Sequence, residues 1–304
     1  MKNLNYFTLP LLVILLAGSV GCARLDSNFF NPNTKKITEY KFDNYTGDVD
    51  FHLDVSYKIP DSLIHLMTLA SQAPDETSPT TIYAEYIGSL SGIATDTVIM
   101  YCHGNKDHMD FYWPRAALLA NTISKNHYGV MIVDYRGYGL SEGKPTEKGL
   151  YADVDAALQW LKNNGLSNTR LMMYGFSLGT APATKLTAEP RSMIPSKLLL
   201  EAPFASSDVI VQDASGLDLP AIFFLDLKIN NAEEIKSVQQ PFFWIHGIDD
   251  TYLNITTQGQ LVYDNYRGIY KEAHKIPGAG HSNIPNTMGF DNYLKIVGEF
   301  IVRP

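Results

Sequence analysis

Arg170-Leu-Met-Met-Tyr-Gly175-Phe-Ser177-Leu-Gly179-Thr-Ala-Pro182-Ala-Thr-Lys-Leu-Thr-Ala188 is the stretch whose reading decides the fold. It opens with a short apolar run of strand length and closes with helical spacing, where Pro182 is tolerable in the first turn. Between them Gly175-Phe-Ser-Leu-Gly179 has the form G-x-S-x-G. A strand that turns sharply into a helix lifts the intervening serine out of the sheet. Glycine is required at 175 and 179 because neighbouring backbone must pass close to such a turn.

Outward from this stretch, the chain reads as strands alternating with helices. Continuous apolar runs of buried parallel strands are expected at Thr97–Cys102, Gly129–Val133, Leu171–Tyr174, Lys197–Leu200, Pro241–Ile245 and Ala273–Ile276. Helical patterns cover Trp113–Lys125, Glu147–Asn163, Asn254–Tyr266 and Asp291–Ile301. In Glu147–Asn163 the residues Leu150, Val154, Ala157, Leu158 and Leu161 share one face. Ahead of these, Asp48–Ile59 alternates like a half-buried strand, Ser62–Ala70 reads as a short helix, and Thr81–Ile87 as a paired strand. The fold class is therefore α/β: a mostly parallel, doubly wound sheet with an antiparallel N-terminal part. Ligands of such sheets bind beyond the carboxyl ends of the strands.

Three chemically active side chains stand at such ends. Acyl transfer needs a nucleophile, a base and a group that orients the base. Ser177 supplies the first. His281, in Pro277-Gly-Ala-Gly-His-Ser-Asn283, suits the second, because its glycines let the loop carry an imidazole over the sheet. Pro241-Phe-Phe-Trp-Ile-His-Gly-Ile-Asp-Asp250 ends in two candidate carboxylates, Asp249 and Asp250, with Asp208 a more distant one. Asp250 stands 73 residues after Ser177 and His281 a further 31 on, leaving room for the intervening strand–helix units.

From about Thr97 to Gly280 the chain resembles serine hydrolases of the α/β-hydrolase fold, in the esterase, thioesterase and serine-aminopeptidase-like branch. The residues carrying this are His103-Gly-Asn105, Asp134-Tyr-Arg-Gly-Tyr-Gly-Leu-Ser141, Gly175-Phe-Ser-Leu-Gly179, His246-Gly-Ile-Asp-Asp250 and Gly280-His281. The order serine, acid, histidine is the order of that fold. The resemblance implies Asp250 as the acid, being the fifth residue of H-G-x-x-D. It places the oxyanion-hole N–H groups at Leu178 and Asn105, with Lys106 as the alternative. The expected activity is cleavage of carboxylic ester or thioester bonds. Lipase, acyl-protein thioesterase and peptidase are the enzymatic alternatives, and a catalytically silent binding module is the alternative of another class. Activity is expected to fall at acid pH as His281 takes up a proton. The chemistry requires no cofactor and no metal.

Other features receive plainer readings. Gly137-Tyr-Gly-Leu-Ser-Glu-Gly143 lacks the spacing of a dinucleotide fingerprint and reads as a structural turn. His103, Asp107, His108 and Asp110 read as a solvated loop rather than a metal site. Asp134 and His246 read as loop braces. Between 203 and 241 there is room for a short lid-like insertion but not for a large cap. Its apolar run Leu217–Leu227 reads as sheet cover before an acyl groove.

The N-terminus is an address. Lys2 and the apolar Leu9–Ala17 suit a secretory signal over 1–21, too short to span a bilayer. Gly18-Ser-Val-Gly-Cys22 resembles a bacterial lipoprotein signal, which implies lipidation at Cys22 and, with Ala23 following, an outer-membrane protein facing the periplasm. A tether is expected over 22–46 and a single domain over 47–304. A formal charge of −8 without basic clusters argues against nucleic acid. The expected partners are thus an acyl or small-molecule substrate and the membrane. Cys102 reads as a small apolar strand residue.

Overall fold

The computed structural model describes residues 29–32, 37–122, 128–215 and 227–303. Cys22, the expected signal and nearly all of the apolar run Leu217–Leu227 lie outside them. Eight strands form one sheet: β1 (Ile64–Ser71), β2 (Thr80–Ile87), β3 (Val98–Cys102), β4 (Gly129–Asp134), β5 (Leu171–Phe176), β6 (Lys197–Glu201), β7 (Phe242–Gly247) and β8 (Lys271–Ile276). Their order is β1-β2-β4-β3-β5-β6-β7-β8. β1 pairs antiparallel with β2, β2 antiparallel with β4, and every later pair is parallel.

Both faces of the sheet are covered, which is why its central strands are continuously apolar. Val98, Met100 and Cys102 face the cluster that holds α2 (Glu147–Asn163) and α3 (Thr180–Ala188). Ile99 and Tyr101 face the opposite cluster, built on α1 (Met109–Ala120) and α8 (Phe290–Val302). The ends of α2 fall where its pattern puts them, and the Thr146 hydroxyl caps it by accepting from Gly149 N at 3.0 Å. Among the described residues, four further α-helices are α4 (Ser207–Ser215), α5 (Asn231–Glu234), α6 (Gly259–Asn265) and α7 (Ile284–Met288).

The structure overturns two N-terminal readings. Ser62–Ala70 is not helical, since most of it lies in β1, paired with β2 from Ile64↔Ile87 to Ser71↔Thr80. Its burial alternates, with Leu69 and Ser71 inward and Thr68 and Ala70 outward, so ladder formation overrides the helix-like leucine spacing. Asp48–Ile59 is not a strand. It runs across α1 and α8, where Phe51 and Ile59 are buried, and contains only a single 3₁₀ turn at Val55–Tyr57. The Tyr57 hydroxyl reaches Asp291 at 2.8 Å, and Asn121 donates to Tyr57 O at 3.2 Å. Side-chain packing on helices replaces the sheet partner that the alternation suggested.

The described part of the stretch expected as a tether is docked on the domain. The Tyr40 hydroxyl donates to Asp134 at 2.6 Å, and the N–H groups of Lys41 and Phe42 donate to Asp110 at 3.0 and 2.7 Å. Beneath them Glu85 is fully buried, and neither of its carboxylate oxygens has a hydrogen-bond partner among the described residues. Burial, reinforced by Asp110, Asp43 and Asp134, pushes this carboxyl well above its ordinary range. The native state therefore holds a proton that the unfolded chain releases above about pH 4.3, so this group lowers stability as pH rises. Glu85→Gln should remove that slope. Between about pH 5 and pH 8 the variant should gain at least ~1 kcal/mol on the parent, read from paired melts at the two pH values. Parallel melting shifts in the two proteins would contradict it.

Candidate active site

Ser177 follows β5 directly and heads the turn into α3. Its φ is 50°, in the left-handed region that a serine rarely occupies. The turn packs this closely because its glycines carry no side chain. A Cβ on Gly175 would lie 2.6 Å from Gly179 O, and one on Gly179 would collide with Cys102 O at the end of β3. The strained residue thus presents its hydroxyl above the sheet.

His281 sits in the loop after β8. Its Nε2 lies 2.9 Å from Ser177 Oγ and its Nδ1 2.8 Å from Asp250 Oδ2. Asp250 comes from the turn after β7, buried beneath its exposed neighbour Asp249. Among the acids named from sequence, Asp250 makes the contact to His281. Its other oxygen accepts from Tyr252 N at 2.9 Å and Leu253 N at 2.8 Å. Burial pushes this carboxyl upward, but hydrogen bonds from His246 and His281, the charge of His281 and the Leu253 N–H outweigh it. The net position is below the ordinary range, so Asp250 is ionised beside His281. These partners dictate the tautomers: His281 Nδ1–H donates to Asp250, leaving Nε2 to accept from the serine hydroxyl.

His246 is more than a loop brace. Its Nε2 lies 3.1 Å from Asp250 Oδ2 and 3.0 Å from Leu253 O, while its Nδ1 accepts from the Trp244 indole at 3.4 Å. Two acceptors at Nε2 and a donor at Nδ1 fix it as a neutral ring donating toward Asp250. The motif H-G-x-x-D contains both residues four apart, and that spacing across one turn is the signal that could have found the contact.

Arg115 of α1 was missed entirely. It is fully buried, donates to Asp50 Oδ2 at 2.6 Å and Glu201 Oε1 at 2.7 Å, and reaches Ser282 O at 2.9 Å. Its guanidinium stacks 4.3 Å from the Phe176 ring, which in turn lies against His281. The His281 loop is therefore anchored from below by a charged network.

The turn holding Asn105 follows β3. Asn105 and Leu178 line, with Ser177, a cavity of about 610 Å³ walled by Phe29, Phe204, Ile210 and Leu253. A second cavity of about 380 Å³, sharing Ser177, Asn105 and Tyr252 with the first, is lined by His281, Ser282, Lys106 and Asn31. The expectation of a solvated His103–Asp110 loop is corrected, since His103, His108 and Asp110 are buried. His103 stacks between Tyr112 and Tyr135 with ring centroids 4.8 and 4.3 Å away, and its Nε2 lies 3.3 Å from Asp134 Oδ1. Gly137–Gly143 forms a turn in which Gly137 N donates to Glu142 O at 3.0 Å and the Tyr138 hydroxyl donates to Asn105 Oδ1.

Residues 94–230 match the family described as Serine aminopeptidase, S33. The chain is 29% identical over 208 residues to protein bem46 of Schizosaccharomyces pombe, covering 67% of each chain. It is 29% identical over 205 residues to mouse alpha/beta hydrolase domain-containing protein 17C, covering 67% of this chain and 59% of the relative. To the lysophosphatidylserine lipase ABHD12 of Danio rerio it is 31% identical over 186 residues, covering 55% of this chain and 46% of the relative. The match thus spans between about half and two thirds of the length of these relatives. Among solved structures, the Pyrococcus furiosus esterase Pf2001 superposes with a TM-score of 0.64 at 19% identity, over 90% of this chain and 97% of that one. The chain has the α/β-hydrolase fold, and its similarities in sequence lie with the serine hydrolases of that fold.

Proposed function

We propose that this protein is a serine esterase that cleaves carboxylic ester or thioester bonds through an acyl-enzyme. One observation carries the reading: the hydrogen-bonded chain Ser177–His281–Asp250 opens onto a largely apolar cavity. Ser177 Oγ attacks the carbonyl carbon while His281 Nε2 takes its proton, and Asp250 stabilises the imidazolium that forms. The oxyanion rests on the N–H groups of Leu178 and Asn105. His281 passes the proton to the leaving oxygen or sulfur, and water then repeats the cycle on the acyl-enzyme.

The aromatic and aliphatic walls of the larger cavity favour an acyl chain. This agrees in kind with the esterase and lysophosphatidylserine lipase names of the similar proteins. A second reading, aminopeptidase, gains from Asp213, a carboxylate on the same cavity wall held by Thr257 at 2.7 Å and Gln258 at 2.6 Å. The assay uses p-nitrophenyl esters of rising chain length beside aminoacyl p-nitroanilides, with fluorophosphonate labelling of the serine. Faster ester turnover supports the esterase, and faster anilide turnover the peptidase. Silence with no labelling leaves a binding module. We further propose that a lipid on Cys22 holds the protein at the outer membrane. Detergent-phase partitioning should then be lost in Cys22→Ser, and unchanged partitioning would refute the anchor.

A further inference from the structure

The segment Phe29–Pro32 does more than lead into the domain. Asn31 N donates to Asn105 Oδ1 at 2.8 Å, and Asn105 Nδ2 donates to Phe29 O. The Tyr138 hydroxyl donates to the same Asn105 oxygen, so the amide side chain is held from both sides. One residue on, Pro32 bridges Asp107, which itself has a φ of 49°. Phe30 is buried in the core and Phe29 packs edge-on to Phe204 at 6.4 Å. The segment is therefore bound to the loop that carries the Asn105 N–H.

Its position relative to Ser177 gives it a second role. Phe29 lines the 610 Å³ cavity and Asn31 the 380 Å³ one, while Ser177 lines both. His281 lines only the smaller cavity. In the reaction the Ser177 Oγ–carbonyl bond forms as the carbonyl π pair moves onto its oxygen. Collapse of that oxyanion then breaks the bond to the leaving oxygen, which receives the serine proton from His281 Nε2. The leaving group must accordingly lie on the His281 side and the acyl chain on the other.

We infer that Phe29–Pro32 is a working part of the active site: Phe29 is a specificity-determining wall of the acyl subsite, and the backbone clamp on Asn105 positions the oxyanion loop. This rests on the serine-esterase reading of Ser177. The acyl subsite takes an aliphatic chain against Phe29, Phe204 and Leu178. The leaving-group subsite is the one that His281 lines, bordered by Asn31, Lys106 and Ser282.

The test uses the full-length protein with p-nitrophenyl acetate and decanoate. Phe29→Ala should lower kcat/KM for the decanoate about tenfold while changing the acetate less than about twofold, the scale of losing an apolar wall. Phe29→Leu, which keeps apolar volume, should recover most of the loss. Asn105→Ala retains its own N–H but loses the clamp. It should lower kcat on both esters about tenfold with KM little changed, short of the hundredfold or more of losing an oxyanion donor outright. Equal losses on both esters in Phe29→Ala, or parental kcat in Asn105→Ala, would overturn the inference. Fluorophosphonate labelling of the parent separates the two levels. A labelled, active parent with no chain-length shift in Phe29→Ala refutes only the role of this segment. A parent that neither labels nor turns over refutes the esterase reading and this inference with it.

Discussion

Ser177→Ala should lower ester turnover by about a millionfold and abolish fluorophosphonate labelling, with the melting temperature little changed. The size follows from what the hydroxyl does. Without it His281 has no proton to take and no acyl-enzyme forms, so only binding and the oxyanion donors remain. The fold should tolerate the change because alanine fits the same space. Ser177 is already in a strained backbone conformation that neighbouring backbone enforces, as the tight packing around Gly175 and Gly179 shows. Turnover by the purified variant within tenfold of the parent would remove Ser177 from the mechanism. A large loss of stability instead would show that the hydroxyl also holds the turn together.

The largest structural effect should come from Arg115→Met. Asp50 and Glu201 are buried on either side of one guanidinium, and the Tyr293 hydroxyl adds a donor to Glu201 at 3.1 Å. Burial pushes the Asp50 carboxyl up, and the Arg115 charge is the main opposing influence. Removing Arg115 strands both acids, at a cost of about 3–5 kcal/mol. Against a total of about 5–15 kcal/mol that is a large fraction. It corresponds to a melting point lower by roughly 6–20 °C at this size. Ser282 O would lose its donor as well, so the folded fraction should be slower in turnover. Adding Asp50→Asn and Glu201→Gln should recover much of the stability, since the stranded charges are then gone. A melting point within 2 °C of the parent for Arg115→Met alone would show that water or a shifted side chain replaces the guanidinium.

These two sites differ in how visible they are in the sequence. Ser177, Asp250 and His281 stand in short local motifs whose residue types and strand-end positions carry the chemistry, so their meeting could be expected. The inner parallel strands β3 to β7 were legible because burial on both faces leaves an unbroken apolar run, and α2 because one apolar face marks it. β8, expected as a buried run at Ala273–Ile276, is instead half-exposed, with Lys271, Glu272, His274 and Lys275 along it. β1 was not legible, since leucines at 63, 66 and 69 suit a helix and only the ladder with β2 decides otherwise. Arg115 and Asp50 are 65 residues apart, and Asn31 and Asn105 are 74 apart. A lone arginine inside an apolar helix and an asparagine in a polar leader carry no local mark of such partners. The Trp244–His246–Asp250 contacts lie between these extremes, because the spacing was visible but the turn that closes it was not.

The docking of Phe29 also bears on how substrate is met. Phe29 stands seven residues after Cys22, and seven residues reach at most about 25 Å when fully extended. A lipid on Cys22 would therefore confine the cleft to a layer beside the bilayer instead of letting it swing on a long leash. Encounter would then be a search in two dimensions, and the rate would follow the surface density of esters in the membrane rather than their concentration in the surrounding solution.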